Sequence, residues 1–393
     1  MVTGGMADPL DTRVERGPLA ELARLFLKLG FFGFGGPAAH IAMLEDEVVE
    51  RRRWMAPETF LDLVGATHLI PGPNSTEMML HVGLLRAGWA GLLLAGLCFV
   101  GPAVLTTAAL AWVYVELGEV PAVAPIFSGI QPAVLAVILG ALWRLGRKAI
   151  HGPALGAVAA GTVGLLLLGL SEVSALLLGG LVGMAVLRGL RGAAGVATAL
   201  LAALAGGTAQ AAGAAAVPYS LQGLALFFLK VGSVLFGSGY VLVAFLQDDL
   251  VTRWGWLTDE QLLDAIAMGQ FTPGPVLSTA AFIGFLLDGW TGAFVAALCI
   301  FAPSFLFVAL LKPLVPRLRG NPWSAGFLDA VNAAAVALMG VVTVELGWAV
   351  LRDPVAIGIG LVSAIAVLRF RVGAPWIVTF GAVAGLLGAW VGG

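Results

Sequence analysis

Leu25-Phe26-Leu27-Lys28-Leu29-Gly30 is written a second time in the chain, as Phe227-Phe228-Leu229-Lys230-Val231-Gly232. The 202-residue register between Lys28 and Lys230 then holds without a gap. Phe34-Gly35 falls on Phe236-Gly237, Asp46 on Asp248, Arg51 on Arg253, Trp54 on Trp256, Glu58 on Glu260 and Asp62 on Asp264. Pro71-Gly72-Pro73 falls on Pro273-Gly274-Pro275, after which one residue is lost. Gly83 then meets Gly284, Gly88-Trp89 meets Gly289-Trp290, Cys98 meets Cys299, Pro102 meets Pro303 and Ile130-Gln131 meets Val331-Asn332. Chance does not hold one register through so many Gly, Pro, Trp and charged matches, so the chain is two copies of one unit. The expected division is a disordered tail over 1–17, a first repeat over 18–191, a linker transmembrane helix over 192–220 and a second repeat over 221–393. The linker is expected because the Ala/Gly-rich run has no counterpart in the second half.

Composition sets the solvent. Of 393 residues, 60% are hydrophobic and 11% charged, with mean hydropathy +0.98. A soluble domain carries about 25% charged residues, so less than half the usual charge points to a polytopic membrane protein. A net charge of −2 argues against nucleic acid as a partner, and the apolar content argues against disorder. Cys98 and Cys299 lie inside apolar runs and read as small buried hydrophobes. No cleavable leader is read in the polar stretch Met1 to Gly17.

Long apolar runs place spans at Trp89 to Val115, Ala122 to Leu142, Pro153 to Leu170 and Val173 to Leu187. Their counterparts are Trp290 to Leu311, Ala325 to Leu351, Pro354 to Leu368 and Pro375 to Val391. Positive residues favour the cytoplasmic side. Arg13, Arg16, Arg24, Arg144, Arg147, Lys148, Arg188 and Arg191 share one side in the first half. Lys312, Arg317, Arg319, Arg369 and Arg371 share it in the second half only if that half is inverted; Arg253 and Arg352 count weakly against this. The fold class expected is an all-α membrane protein whose halves form an inverted-topology repeat, with broken, re-entrant helical hairpins.

The breaks are where chemistry is expected. Gly33-Phe34-Gly35-Gly36-Pro37 ends an apolar helix, because proline lacks a donor and clashes with the preceding turn. At membrane depth such breaks survive only where protein or a wet cavity satisfies the backbone. The Pro-Gly-Pro turn joins an amphipathic helix, Pro57 to Ile70, to a short arm, Asn74 to Leu85, and neither is long enough to span. A capping box is expected at Thr258 and Gln261. A helix N-terminus carries about half a positive charge and is a ready anion site. The candidate binding residues are therefore Lys28, Gly35, Gly36, Gly72, Asn74, Ser75 and Thr76, with Lys230, Gly237, Gly274, Ser278 and Thr279 in the repeat.

Two readings stand for Lys28 and Lys230: they snorkel to an interface, or they attract an anion, since embedded charge is functional by default. Asp62 and Asp264 either pair with the lysines or arginines or carry a proton. Glu77 is either a proton site or a dipole-compensating acid. The loop Glu45-Asp46-Glu47 to Arg51-Arg52-Arg53-Trp54 is an interfacial belt or a gate, with Arg51 and Arg253 as gating candidates. His68 and His81 flank the first tip without an H-E-x-x-H pattern, so no metal is expected. No nucleophile motif is present, so no enzyme is expected, nor any cofactor.

Phe34-Gly35-Gly36-Pro37, Arg51-Arg52-Arg53-Trp54, Leu69-Ile70-Pro71-Gly72-Pro73-Asn74-Ser75-Thr76 and Thr272-Pro273-Gly274-Pro275 together resemble the chromate ion transporter family, and the duplication resembles its long-chain, two-domain branch. The resemblance covers the chain from about Leu19 onward. It implies efflux of chromate across the plasma (inner) membrane and chromate resistance, with sulfate as a close analogue. Two helix ends at about +0.5 each and two lysines would offset roughly three charges, which suits a dianion. The alternative is a proton- or sodium-coupled transporter of another small solute. The partners expected are a small inorganic anion and the bilayer, with the chain a monomer or homodimer, its N-terminus cytoplasmic and its C-terminus outside.

Overall fold

The computed structural model describes residues 17–34, 36–68, 70–117, 124–187, 217–236, 239–311 and 322–392, and among them all regular structure is helical. The expected tail as far as residue 16, most of the expected linker, Gly35, Gly237 and the basic residues Arg188, Arg191, Lys312, Arg317 and Arg319 lie outside the described residues. The first half contains α1 (Leu19–Phe32), α2 (Gly36–Glu45), α3 (Pro57–Thr67), α4 (Asn74–Leu117), α5 (Ala124–Ala149), α6 (Pro153–Leu167) and α7 (Glu172–Leu187). The second contains α8 (Leu221–Val234), α9 (Leu242–Leu246), α10 (Asp259–Phe271), α11 (Thr279–Leu311), α12 (Pro322–Val350), α13 (Pro354–Phe370) and α14 (Ala374–Gly392). Each element of one half has its counterpart, in order, in the other.

Helices α4, α5, α11 and α12 are long and apolar enough to cross a bilayer. Two of them are folded back on themselves. At Ala87 (φ −143°, ψ 24°) and Gly88 (φ 62°, ψ −148°) α4 leaves helical geometry, and α11 does the same at Asp288 and Gly289. A positive φ at Gly88 and Gly289 costs a glycine nothing. Beyond the bend the arms run back antiparallel. Gly83 packs against Gly91 and Ala95, and Gly284 against Gly292 and Ala296, so close that no Cβ fits on either first glycine. The arm over 74–87 is then about 21 Å long at about 1.5 Å per residue, short of the roughly 30 Å hydrocarbon core. Helices α1 and α8, of 14 residues each, are equally short.

The halves exchange helices. Helix α5 packs on α13 and α14 of the second half, and α12 packs on α6 and α7 of the first. Small residues make this possible: Gly129 of α5 meets Gly381 and Gly385 of α14, as Gly180 and Gly183 of α7 meet Val331 and Ala330 of α12. The main apolar core runs from Leu22 and Phe26 in α1 through Phe99 to Phe228, Phe245 and Phe282. The opposite surface is lipid-like, with Trp89, Leu97, Trp290, Leu298, Trp348 and Trp376 exposed. Thr258 and Gln261 make the expected capping box at the start of α10.

Candidate functional site

Helix α1 stops at Phe32 because the glycines and Pro37 cannot continue it, and α8 stops at Val234. Each stop frees backbone carbonyls that lipid cannot satisfy. The Pro-Gly-Pro turn of the opposite half answers them. Gly72 N–H donates to Leu235 O (2.7 Å), and Gly274 N–H donates to Gly33 O (2.8 Å). The two tips thus lock the halves across the centre of the molecule. The backbone amides of Gly72 and Gly274 are therefore engaged within the protein. His40 Nε2 also donates to Gly33 O (2.9 Å), and its Nδ1 lies 3.3 Å from Ser75 Oγ. Ser75 is thereby occupied too.

Polar groups behind the tips differ between the halves. At the second tip the Thr107 hydroxyl lies within 3.3 Å of Thr272 Oγ1 and 3.1 Å of Ser278 Oγ. Thr279 donates to Val276 O (2.8 Å). Asp264 accepts from Tyr114 (2.9 Å) and Gln131 (3.3 Å), both from the first half. At the first tip Thr76 Oγ1, both Glu77 carboxyl oxygens, His81 Nε2 and Ser304 Oγ are buried without hydrogen-bond partners. Ser304 is the polar neighbour of the Glu77 carboxyl, and both crowd Gly72. They miss hydrogen-bond geometry with one another.

Lys28 and Lys230 lie elsewhere. Lys28 bonds Glu47 (2.7 Å), which also takes Arg51 (3.3 Å) and Arg52 (3.1 Å); Arg51 reaches Asp46 (2.9 Å) and Arg52 reaches Glu21 (2.7 Å). Lys230 bonds Asp249, which also takes Arg253 (3.3 Å). Both carboxylates sit on π-helical turns, 46–51 and 247–253. The hydrogen bond from Lys28 holds the Glu47 carboxyl below the usual range against the opposing effect of burial, and Arg52 adds to it. Among the described residues Asp264 makes no ion pair with a lysine or an arginine, one of its two expected roles. Asp62 is half-buried on α3 and engaged.

Between the halves lie three cavities that share walls, of about 350, 510 and 230 Å³. His68, Asn74 and Lys148 line the first two. Gly36, Arg144 and Tyr240 line the second and third. Gln270, Thr272 and Gly274 of the second tip line the third. Asn74 Nδ2 is 2.8 Å from His68 Nδ1. Among the described residues neither Arg144 nor Lys148 makes an ion pair. Of the residues expected at the site, the structure brings Gly36, Asn74 and Gly274 to these cavities. It adds Arg144, Lys148, Tyr240 and Gln270, which the sequence reading did not single out as a site.

A twofold-repeated helical membrane protein with cavities at the junction of its broken helices has the architecture common to secondary transporters. The chain belongs to the chromate transporter family, whose model matches residues 20–185 and again 222–386. It is 32% identical to a protein of Synechococcus elongatus described as a probable chromate transport protein, over 94% of this chain and 95% of that one. Chromate transport proteins of Cupriavidus metallidurans and Pseudomonas aeruginosa are each 32% identical, covering 94% and 89% of this chain and 93% and 86% of theirs. No solved structure matches.

Proposed function

We propose that the protein exports a tetrahedral oxyanion, chromate first and sulfate-like anions alongside it, across the plasma membrane. In this reading the repeats 18–191 and 221–393 insert with opposite topology, joined by a transmembrane linker over 192–220. The N-terminus is cytoplasmic and the C-terminus outside, in a monomer or homodimer. The Pro-Gly-Pro turns are re-entrant tips. The observation that carries the proposal is the pair Arg144 and Lys148, which faces the inter-half cavities with no carboxylate bound to it. In the 510 Å³ cavity the two cations face a single acid, Glu45, and a net positive wall favours an anion and repels a cation. Asn74 adds the start of a helix to the same wall.

The energetics favour export without a coupling ion. An inside-negative membrane contributes about 2.3 kcal/mol per charge per 100 mV, hence about 4.6 kcal/mol for a dianion. At about 1.4 kcal/mol per decade this supports roughly three decades of concentration. Gly35, Gly36, Gly237, Ser278 and Thr279 remain proposed substrate-binding residues. Lys28 and Lys230, with Arg51 and Arg253, are proposed to anchor and gate the belt. Asp62, Asp264 and above all Glu77 are the proton candidates. Glu77 favours a second reading, proton-coupled transport of a small solute, because its carboxyl is fully buried without a partner.

Proteoliposomes loaded with labelled chromate or sulfate and clamped at potentials of each sign decide between the readings. Oxyanion efflux that rises with an inside-negative potential at equal pH supports the first. Flux that tracks a proton or sodium gradient and ignores both anions replaces it with the second.

A further inference from the structure

We propose that Arg144 and Gln270 form the oxyanion-binding subsite between the two tips, with Tyr240 as the residue that positions the Gln270 amide. This deepens the proposed function and rests on it. The smallest of the three cavities, about 230 Å³, is lined by Arg144 from the first half and by Tyr240, Gln270, Thr272, Gly274 and Arg371 from the second. Among the described residues no carboxylate lines it, whereas Glu45 lines the 510 Å³ cavity and Asp329 the 350 Å³ cavity. Two guanidinium groups without an acid define a place for an anion. A guanidinium presents a planar fork of donors that matches paired oxygens.

Gln270 is an independent observation. It is 8% exposed, and its Nε2 has no acceptor. Its Oε1 is taken by the Tyr240 hydroxyl at 3.2 Å, which leaves the amide N–H groups as the free end. Buried donors are almost always bonded, so an unsatisfied amide in a residue that lines the cavity beside unpaired arginine points to an acceptor that comes and goes. Arg144 also lines the 510 Å³ cavity with His68, Asn74 and Lys148. It therefore stands on the wall shared by the two tips, where an anion passing from one to the other meets it.

The repeat makes the subsite single. Counting by the register that aligns Gln131 with Asn332, Arg144 falls on Glu345. By the register that aligns the Pro-Gly-Pro turns, Gln270 falls on His68. The mirrored position has an acid where this one has a guanidinium, so one anion is bound per molecule despite the twofold fold.

The test uses the full-length protein in detergent, with sodium chromate and sodium sulfate as probes and sodium chloride at equal ionic strength as the reference. The rise in thermal midpoint with probe concentration gives the affinity, and proteoliposome flux is read on the same preparations. R144Q is expected to weaken both anions at least tenfold, R144K less because charge is kept and the fork lost, and Q270M by a few-fold. R147Q, one turn along the same helix and outside the cavities, is expected to bind as wild type. The proposal is overturned if R144Q binds as wild type, or if R147Q loses as much. Should R144Q fail to fold, R144K and Q270M carry the test, and wild-type affinity in both overturns it. Wild-type protein that neither binds nor moves oxyanions sinks the functional reading itself. Wild-type flux with an unaffected R144Q sinks only the subsite.

Discussion

The two tips share one backbone and differ in chemistry. Each lends its glycine amide to the broken helix of the other half, at 2.7 and 2.8 Å. Behind the second tip every hydroxyl and the Asp264 carboxylate have partners, and the Gln270 Nε2 lacks one. Behind the first, Thr76 Oγ1, both Glu77 carboxyl oxygens, His81 Nε2 and Ser304 Oγ have none among the described residues. Duplication thus supplies the symmetric part, a cross-bonded junction that must form twice for the fold to close. Function is expected where the copies have drifted apart, since an unsatisfied buried polar group is costly and persists only with a use.

The symmetric part should break hardest. Gly72 (φ 141°) and Gly274 (φ 94°) adopt backbone angles that side chains avoid, and each is walled in. A Cβ on Gly274 would come within 2.8 Å of the Ala103 methyl, and one on Gly72 within 2.7 Å of Ser304 Oγ. Strain of about 1–3 kcal/mol and overpacking of about 1–3 kcal/mol add at each site. Gly72→Val and Gly274→Val should therefore both lower the yield of monodisperse protein and the thermal midpoint steeply. A wild-type midpoint in either variant would remove the cross-bonded junction from the argument.

The asymmetric part should separate the tips. Asp264→Leu strands the Tyr114 hydroxyl and the Gln131 amide, at about 1–3 kcal/mol for each buried group left unpaired. Glu77→Met removes a carboxyl that has no partner to strand, and apolar replacement of such a group is neutral or stabilising. Thermal unfolding at neutral pH should show the first variant clearly destabilised and the second at or above wild type. Equal losses would mean that the tips are alike after all. A smaller step sharpens the contrast. Thr107→Val removes the hydroxyl shared by Thr272 and Ser278, and Val308 already stands at the equivalent place. It should cost about 1 kcal/mol in the same measurement.

Much of this architecture is legible in the chain, because glycine, proline and repetition leave marks on sequence. The twofold plan, the break after α1, the short arms beside each Pro-Gly-Pro turn and the capping box at Thr258 all follow from local rules. The cross-half bonds do not, since a backbone amide and a carbonyl carry no side-chain signature. The lysine partners were within reach: Glu47 and Asp249 stand 19 residues after Lys28 and Lys230 in both copies. Arg144 reads as an ordinary cytoplasmic marker at the end of a span. Its exchange for Glu345 in the repeat is the signal that it has a further task, because a topology marker and a site residue differ only in what surrounds them.

The belt offers the mildest test, one in which the halves should behave alike. Lys28 and Lys230 are nearly half-exposed, at 48% and 40%, while their carboxylates are buried. Exposed pairs contribute about 0–1 kcal/mol, and Arg51, Arg52 and Arg253 remain to hold Glu47 and Asp249 if a lysine is lost. Lys28→Ala and Lys230→Ala should each leave oxyanion flux within about threefold of wild type and stability within about 1 kcal/mol. Abolished flux would restore the lysines to the substrate path. Acid gives the sign. Since Lys28 holds Glu47 below its ordinary range, the contribution of that pair is complete at neutral pH and disappears as the pH falls through the lowered value. The gap between wild type and Lys28→Ala should therefore narrow on acidification. A gap that widens would mean that the lysine stabilises the fold by packing its stem and not through the carboxylate.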